Sequence, residues 1–409
     1  MKKIKLGTQI LIGIALGLLI GFISPKAASF ISPLGDIFLN LLKMLIVPLV
    51  FFSITNGVIM MQDAKQLRSV GGRIILFYVI SSLVAAVFGT AAALITKPGQ
   101  NATDFANILT SEAGSAVEFN FIKNVVSWFP TNIIDAMANA NMLQIIIFCI
   151  FLGVALLALG DKVSTIKKLI AQGNDVMLKI TEYVIAFSPF GICALMAKLV
   201  STISGAMMKE VIVFVLTIDI VILIYGLIWY PLMLKLVAKL NVPKFFKKIT
   251  EPMIVAFTTT SSAATLPVSI SVARDKLGCP EKVYGFTLPL GNTANMNGAA
   301  IQFSVIAVFA SYLFGLPITA SSLFQFIFLA LILSIGAAGV KGAGIVMSTI
   351  IISTLIGEEG LVLIPILAAI WPTIDPFATL ANNVGDLVGT TVVSKQMGLL
   401  DEEVFNSDN

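Results

Sequence analysis

Two stretches decide how this chain folds: Thr258-Thr-Thr-Ser-Ser-Ala-Ala-Thr-Leu-Pro267 and Ser334-Ile-Gly-Ala-Ala-Gly-Val-Lys-Gly-Ala-Gly344. Each interrupts an apolar segment, residues 246–273 and 322–356, with small or hydroxyl-bearing residues. A helix needs roughly 20 residues to cross about 30 Å of hydrocarbon. The arms on either side of each break hold about ten, half a bilayer at about 1.5 Å per residue. Backbone that leaves the helix at that depth is tolerated only where protein or water covers it. The pattern therefore reads as a pair of re-entrant hairpins entering from opposite faces, the alternative being two helices kinked by Gly and Ser. Interrupted segments in matching positions of two halves point to a transporter's binding site.

The rest of the chain agrees with a membrane setting. Of 409 residues, 57% are hydrophobic and 12% charged, against about 25% charged in a soluble domain. Mean hydropathy is +0.99. There is no His, so imidazole is absent from any metal site or proton relay. Cys149, Cys193 and Cys279 are far apart and match no zinc or redox spacing. Zinc hydrolases, cysteine proteases and disulfide scaffolds are excluded, and a net charge of +4 does not suggest nucleic acid.

Beyond the hairpins, apolar stretches long enough to cross lie near 6–24, 38–61, 71–96, 127–160, 177–200, 210–236, 281–313 and 361–395. The fold class expected is an all-α multispan membrane protein of eight transmembrane helices plus the two hairpins. Lys2, Lys3 and Lys5 read as a cytoplasmic anchor, although they also resemble a signal peptide's basic start. Most of the Lys and Arg fall on one side when the loops are counted alternately, which places both termini in the cytoplasm of a cell inner-membrane protein.

Charged and amide side chains at mid-bilayer are costly and need a reason. The last span carries Asp375, Thr379, Asn382 and Asp386 at steps of four, three and four, which set them on one helical face. Two aspartates with an amide and a hydroxyl on one stripe read as a cation site beside a ligand site. Span seven holds Gly291-Asn-Thr-Ala-Asn-Met-Asn-Gly298, a local unwinding whose freed carbonyls suit a hard monovalent cation. The bland alternative is amide bonding between helices. Tyr78, Ser81 and Ser82 share a face of span three and offer further oxygens. Asp135 reads as scaffold, and Asp219 in span six has no explanation in the sequence.

Ser261-Ser-Ala-Ala-Thr-Leu-Pro267, Asn295-Met-Asn-Gly298, Gly339-Val-Lys-Gly-Ala-Gly344 and the Asp375 to Asp386 stripe together resemble the dicarboxylate/amino acid:cation symporter family, the glutamate transporter fold, over essentially the whole chain. The resemblance implies inverted repeats, a homotrimer in the lipid bilayer and an elevator-type transport domain. Residues 1–245 would be mainly scaffold, with span three joining the transport core of 246–396, and 397–409 would be a cytoplasmic tail. It further implies that Asp375 holds a substrate amino group, and that Asn382 and the neighbourhood of Ser261 and Ser262 hold its α-carboxylate. Val340 and Gly344 would close the second hairpin, and Thr379 and Ala378 would line the site. Sodium is the implied coupling ion. One site would use Asp386, Asn382, Gly291 and Asn295; a second, Thr293 and Met296 with the carbonyls of Ser334, Ile335 and Ala337; a third, Asn295, Asn297, Tyr78, Ser81 and Ser82.

Departures from the family pattern bear on the substrate. Ala378 stands where acidic-substrate members carry Arg, Ala299 where they carry Thr, Asn297 where many have Asp, and Lys341 where many have Pro. A second substrate carboxylate buried beside Ala378 would lie unpaired, at a cost of several kcal/mol. The expectation is a sodium-coupled symporter of small neutral amino acids, resembling the bacterial serine/threonine symporters. The alternative is an acidic amino acid or dicarboxylate symporter, coupled to sodium or protons, with Lys341 in place of the missing Arg. An ion channel using the same stripe is a third reading, and nothing suggests an enzyme.

Overall fold

A computed structural model describes residues 6–60, 70–102, 126, 129–139, 141–199, 205–336 and 343–407. The described residues form helices and connecting loops. They are α1 (Leu6–Ile23), α2 (Pro25–Met60), α3 (Val70–Thr96), α4 (Ile133–Ala138), α5 (Met142–Leu159), α6 (Ser164–Leu199) and α7 (Gly205–Leu232). After these come α8 (Val242–Lys248), α9 (Thr250–Thr259), α10 (Ser262–Asp275), α11 (Glu281–Ala294) and α12 (Asn297–Leu313). The chain closes with α13 (Ala320–Gly336), α14 (Ala343–Leu355), α15 (Ile364–Gln396) and the short α16 (Glu402–Asn406).

Among the described residues, six helical runs are long and apolar enough to cross a bilayer: Lys26–Met60, Val70–Thr96, Gln144–Lys198, Met207–Val237, Glu281–Leu313 and Glu358–Gln396. The third of these is 55 residues long and turns at Gly160, whose φ of 61° breaks α5 from α6. Several spans are longer than their apolar content suggests. The helix expected at 38–61 begins at Pro25, and that expected at 177–200 begins at Ser164. Near 127–160 the helix proper begins only at Met142, after the short α4.

Both interrupted segments break as their composition dictates. α9 ends at Thr260, which takes the left-handed conformation with φ of 49°. Ser261 then caps α10, its hydroxyl accepting from the Ala264 N–H at 3.3 Å. This is the capping role in which Ser is favoured. The second break separates α13 from α14, and its tip, residues 337–342, lies outside the described residues together with Ala337, Val340 and Lys341.

In a membrane every helix is apolar all round, so hydrophobicity does not choose the buried face; small residues that allow close approach do. On α3 the buried positions include Gly71, Ser81, Ser82, Ala85, Ala86, Gly89 and Ala93. At Gly89 a Cβ would stand 2.7 Å from the Ile301 carbonyl oxygen, so α3 lies directly on α12. α12 is the centre of the molecule: Asn297 through Ser311 are all buried. Around it pack α3, α7, α13, α14 and α15. α1, α2, α5 and α6 form a second group, with α2 and α6 in the most extensive contact. By packing, α7 sits beside α3, α12 and α15, although a boundary at 245 set it with the N-terminal spans. The groups meet where the Ser53 hydroxyl donates to the Gly336 carbonyl at 2.6 Å and Lys43 pairs with Glu358 at 2.8 Å.

Residues 397–407 fold back onto the rest of the chain instead of trailing from it. Phe405 is 1% exposed. The Asp401 N–H donates to the Gly278 carbonyl at 2.9 Å, and the Lys248 ammonium to that of Val404 at 3.0 Å. Lys244 donates to the Asn406 carbonyl, and Lys395 pairs with Glu402. The segment thus joins α8, at the base of the first hairpin, to the end of α15. Removing a buried Phe side chain costs about 3–5 kcal/mol. Phe405→Ala is therefore expected to free residues 401–407, read as faster amide hydrogen exchange there; unchanged protection would contradict the docked segment.

Candidate functional site

The site grows from a break in span seven. α11 ends and α12 begins around Asn295 and Met296, whose ψ angles of 70° and 63° leave the helical region. The chain re-enters a helix at once, so the Asn295 side chain is held fully buried between two helix ends. Its amide nitrogen donates to Asp386 Oδ1 at 2.8 Å, while its own Oδ1 is buried with no hydrogen-bond partner. Asp386, 4% exposed, has no ion-pair partner among the described residues. An ionised carboxylate held by one neutral amide is undersatisfied, since buried charges are normally paired or metal-bound.

Gly291, one turn before Asn295, completes this corner. A Cβ there would stand 2.6 Å from the Tyr78 hydroxyl and 2.7 Å from Asp386 Cγ, so only glycine fits. Tyr78 donates to the Thr287 carbonyl at 2.8 Å. The structure thus brings together Asp386, Asn295, Gly291 and Tyr78: oxygen-rich, with one buried orphan acceptor, and suited to a small hard cation or a proton. Asn382, expected in the same set, braces the helix break instead. Its Oδ1 accepts the Gly298 N–H at 2.8 Å and its amide nitrogen meets the Met296 sulfur at 3.1 Å.

Asn297, Ser81 and Ser82 form a separate cluster, one turn along α3 from Tyr78. The Ser82 hydroxyl donates to Asn297 Oδ1 at 3.0 Å, and the Asn297 amide donates to Ser81 Oγ at 3.2 Å and to the Tyr230 hydroxyl at 3.1 Å. Trp229 Nε1 also donates to Ser81 Oγ at 2.8 Å, and Tyr225 donates to the Ser81 carbonyl at 3.0 Å. Tyr230 in turn donates to the Ala381 carbonyl at 2.6 Å. These three α7 aromatics were not singled out in the sequence; the signal was Tyr225, Trp229 and Tyr230 clustering at the end of one span. Gly385 makes the meeting point possible, because a Cβ there would crowd Asn297, Tyr230 and Asn295 at 2.6–2.9 Å.

For the remaining expected ligands the geometry is less convergent. The Thr293 hydroxyl donates to the Leu290 carbonyl at 3.0 Å and that of Ser334 to the Leu331 carbonyl at 2.7 Å, each within its own helix. Ile335 is half-buried at the end of α13. Asp375 is half-buried and Thr379 buried on α15. Ala378 lies buried with its backbone directly against Gly298. Asn383, outside the expected stripe, donates to Ser262 Oγ at 3.1 Å and to the Thr379 carbonyl at 2.8 Å; it ties the tip of the first hairpin to α15. Its clue was its place four residues after Thr379. Asp219 on α7 has a buried oxygen without a partner, and nothing in its surroundings explains it.

Gly291→Ala is expected to push Asp386 and Tyr78 apart and to raise about tenfold the sodium or proton concentration needed for half-maximal ligand binding, equivalent to roughly 1.4 kcal/mol. Unchanged ion dependence in a folded Gly291→Ala protein would show that no coupling cation uses this corner.

The profile of the Sodium:dicarboxylate symporter family matches residues 6–396. The chain is 30% identical to a proton/sodium-glutamate symport protein of Bacillus caldotenax, covering 98% of this chain and 97% of that one. It is 27% identical to a C4-dicarboxylate transport protein of Bacillus subtilis (strain 168), covering 98% and 96%. With a C4-dicarboxylate transport protein 2 of Pseudomonas paraeruginosa the identity is 29%, over 97% and 92%. A match that runs from the first helix to the end of α15, together with the buried carboxylate beside the broken span, shows that this chain belongs to the sodium:dicarboxylate symporter family and is a transporter, not an enzyme.

Proposed function

We propose that this protein is a secondary active symporter that carries a small acidic amino acid across a membrane together with a coupling cation. The observation that carries the symport reading is Asp386, buried with one neutral hydrogen bond and an orphan amide oxygen beside it. A sodium ion or a proton would neutralise the carboxylate, and the cost of leaving it bare couples ion to substrate. Alternating exposure of that site uses the ion gradient to drive uptake.

On substrate, the relatives side with the acidic alternative over the serine/threonine expectation, since those compared carry glutamate or C4-dicarboxylate in their names. Asp375 separates the two acidic classes. A carboxylate at that point attracts an ammonium group and repels a dicarboxylate, which favours an amino acid. The acidic reading has a condition to meet, because Ala378 and Ala299 bring no charge to the site. Lys341, near the tip of the second hairpin in sequence, is the cation that would meet it. The same two alanines support the second reading, a small neutral amino acid.

Eight spans fit the six long runs, counting the 55-residue run Gln144–Lys198 as two and adding α1. The grouping of α1, α2, α5 and α6 apart from the helices around α12 supports a scaffold and a moving transport domain. α3 and α7 would travel with the latter in an elevator-type movement. The basic loops support cytoplasmic termini and a cell inner-membrane location, and the family resemblance supports a homotrimer.

Uptake of labelled aspartate and serine into proteoliposomes, with inward sodium or proton gradients, tests the substrate. Gradient-driven aspartate uptake competed by glutamate is the expected result, and Lys341→Ala is expected to weaken it roughly 100-fold, as leaving a buried carboxylate unpaired costs about 3 kcal/mol. Asp375→Ala should abolish amino acid uptake. Serine uptake competed by threonine but not by aspartate would overturn the acidic reading in favour of the neutral one.

A further inference from the structure

Trp371 lies on α15 one turn before Asp375 and two turns before Ala378, on the face that carries the proposed substrate site. It is 5% exposed. Its Nε1 is the sole side-chain nitrogen among the described residues that is buried without a hydrogen-bond partner. Indole N–H groups that are buried ordinarily find an acceptor, and one left without it bears its desolvation penalty uncompensated. The ring is also where the second hairpin seats. A Cβ on Gly344, in the first turn of α14, would stand 2.8 Å from Cη2 of the indole and 3.1 Å from Cε2, the atom that bears Nε1. The unpaired N–H edge therefore lies beside the returning arm of the hairpin, and no side chain at 344 intervenes.

We propose that Trp371 is a substrate-binding residue: its Nε1–H donates to an oxygen at the distal end of the substrate side chain, in the subsite that Ala378 and Ala299 leave without a polar group. This assignment rests on the transport reading above and adds to it a neutral donor for the same distal end that Lys341 is proposed to meet. A neutral donor serves a carboxylate, an amide or a hydroxyl oxygen, so the preference it confers is for a side chain that ends in an acceptor. The indole also gives the hairpin a flat surface against Gly344, so that closure and recognition fall on the same ring.

Two substitutions separate the donor from the surface. Trp371→Phe keeps an aromatic face for Gly344 and removes the N–H. Trp371→Gln removes the face and restores an N–H donor at similar reach. The measurement is the affinity of the purified protein for whichever of aspartate or serine the wild type transports, with uptake in proteoliposomes alongside. The Phe variant is expected to bind about tenfold more weakly, the effect of one hydrogen bond of roughly 1.4 kcal/mol, and the Gln variant to recover most of that loss. A Phe variant that binds like the wild type, or a Gln variant weaker than Phe, would overturn the assignment and leave Trp371 as packing for the hairpin. Transport of neither ligand by the wild type would overturn the symport reading itself, which is a different result from either.

Discussion

A carboxylate buried in a membrane protein with a single neutral hydrogen bond is the constraint on which the rest of this structure depends. Asp386 sits inside α15, surrounded by buried residues on every turn from Ala378 to Ser394. It can be kept there because span seven breaks opposite it, freeing the Asn295 amide to meet it. Glycines at 291 and 385 remove the side chains that would otherwise hold the elements apart. Each of these features is costly by itself, since broken helices and glycines weaken a span. Together they bring a carboxylate, an amide and a tyrosine hydroxyl into one buried corner, the place proposed for the coupling cation.

Around that corner the polar groups divide by what they lack. The Asn297 cluster closes on itself, with Ser81, Ser82, Tyr230 and Trp229 satisfying one another. It carries no formal charge and works as a joint between α3, α7 and α12. The Asp386 corner, in contrast, retains an unfilled acceptor at Asn295. Of the two, only the second holds a carboxylate beside an unfilled acceptor.

Much of this was legible in the chain. The break in the first interrupted segment was legible because hydroxyl-bearing residues cluster there, and the chain turns at Thr260 and is recapped by Ser261. The stripe from Asp375 to Asp386 followed from helical spacing, and the unwinding at Asn295 from amides clustered between glycines. What stayed hidden were contacts made across the fold. Tyr78 stands in the Asp386 corner, while Ser81 and Ser82, one turn further along α3, are the residues that meet Asn297. Asn382 supports the backbone of the broken span, a role that no local pattern distinguishes from ligand binding. No local pattern in α7 shows what its aromatic residues meet; their hydroxyl and indole groups reach Ser81 and Asn297. The docking of Phe405 was equally out of reach, since a short polar segment after a last span ordinarily trails into water.

The proposed coupling ion takes the place of the missing partner of Asp386, and ligand binding to the purified protein as a function of sodium concentration and pH, compared between the wild type and Asp386→Asn, tests this directly. The structure predicts that wild-type binding rises steeply with sodium or with acidification, and that Asp386→Asn, which carries no charge to neutralise, loses that dependence while remaining folded. Binding that responds to the ion identically in both proteins would contradict the claim and place the coupling site elsewhere.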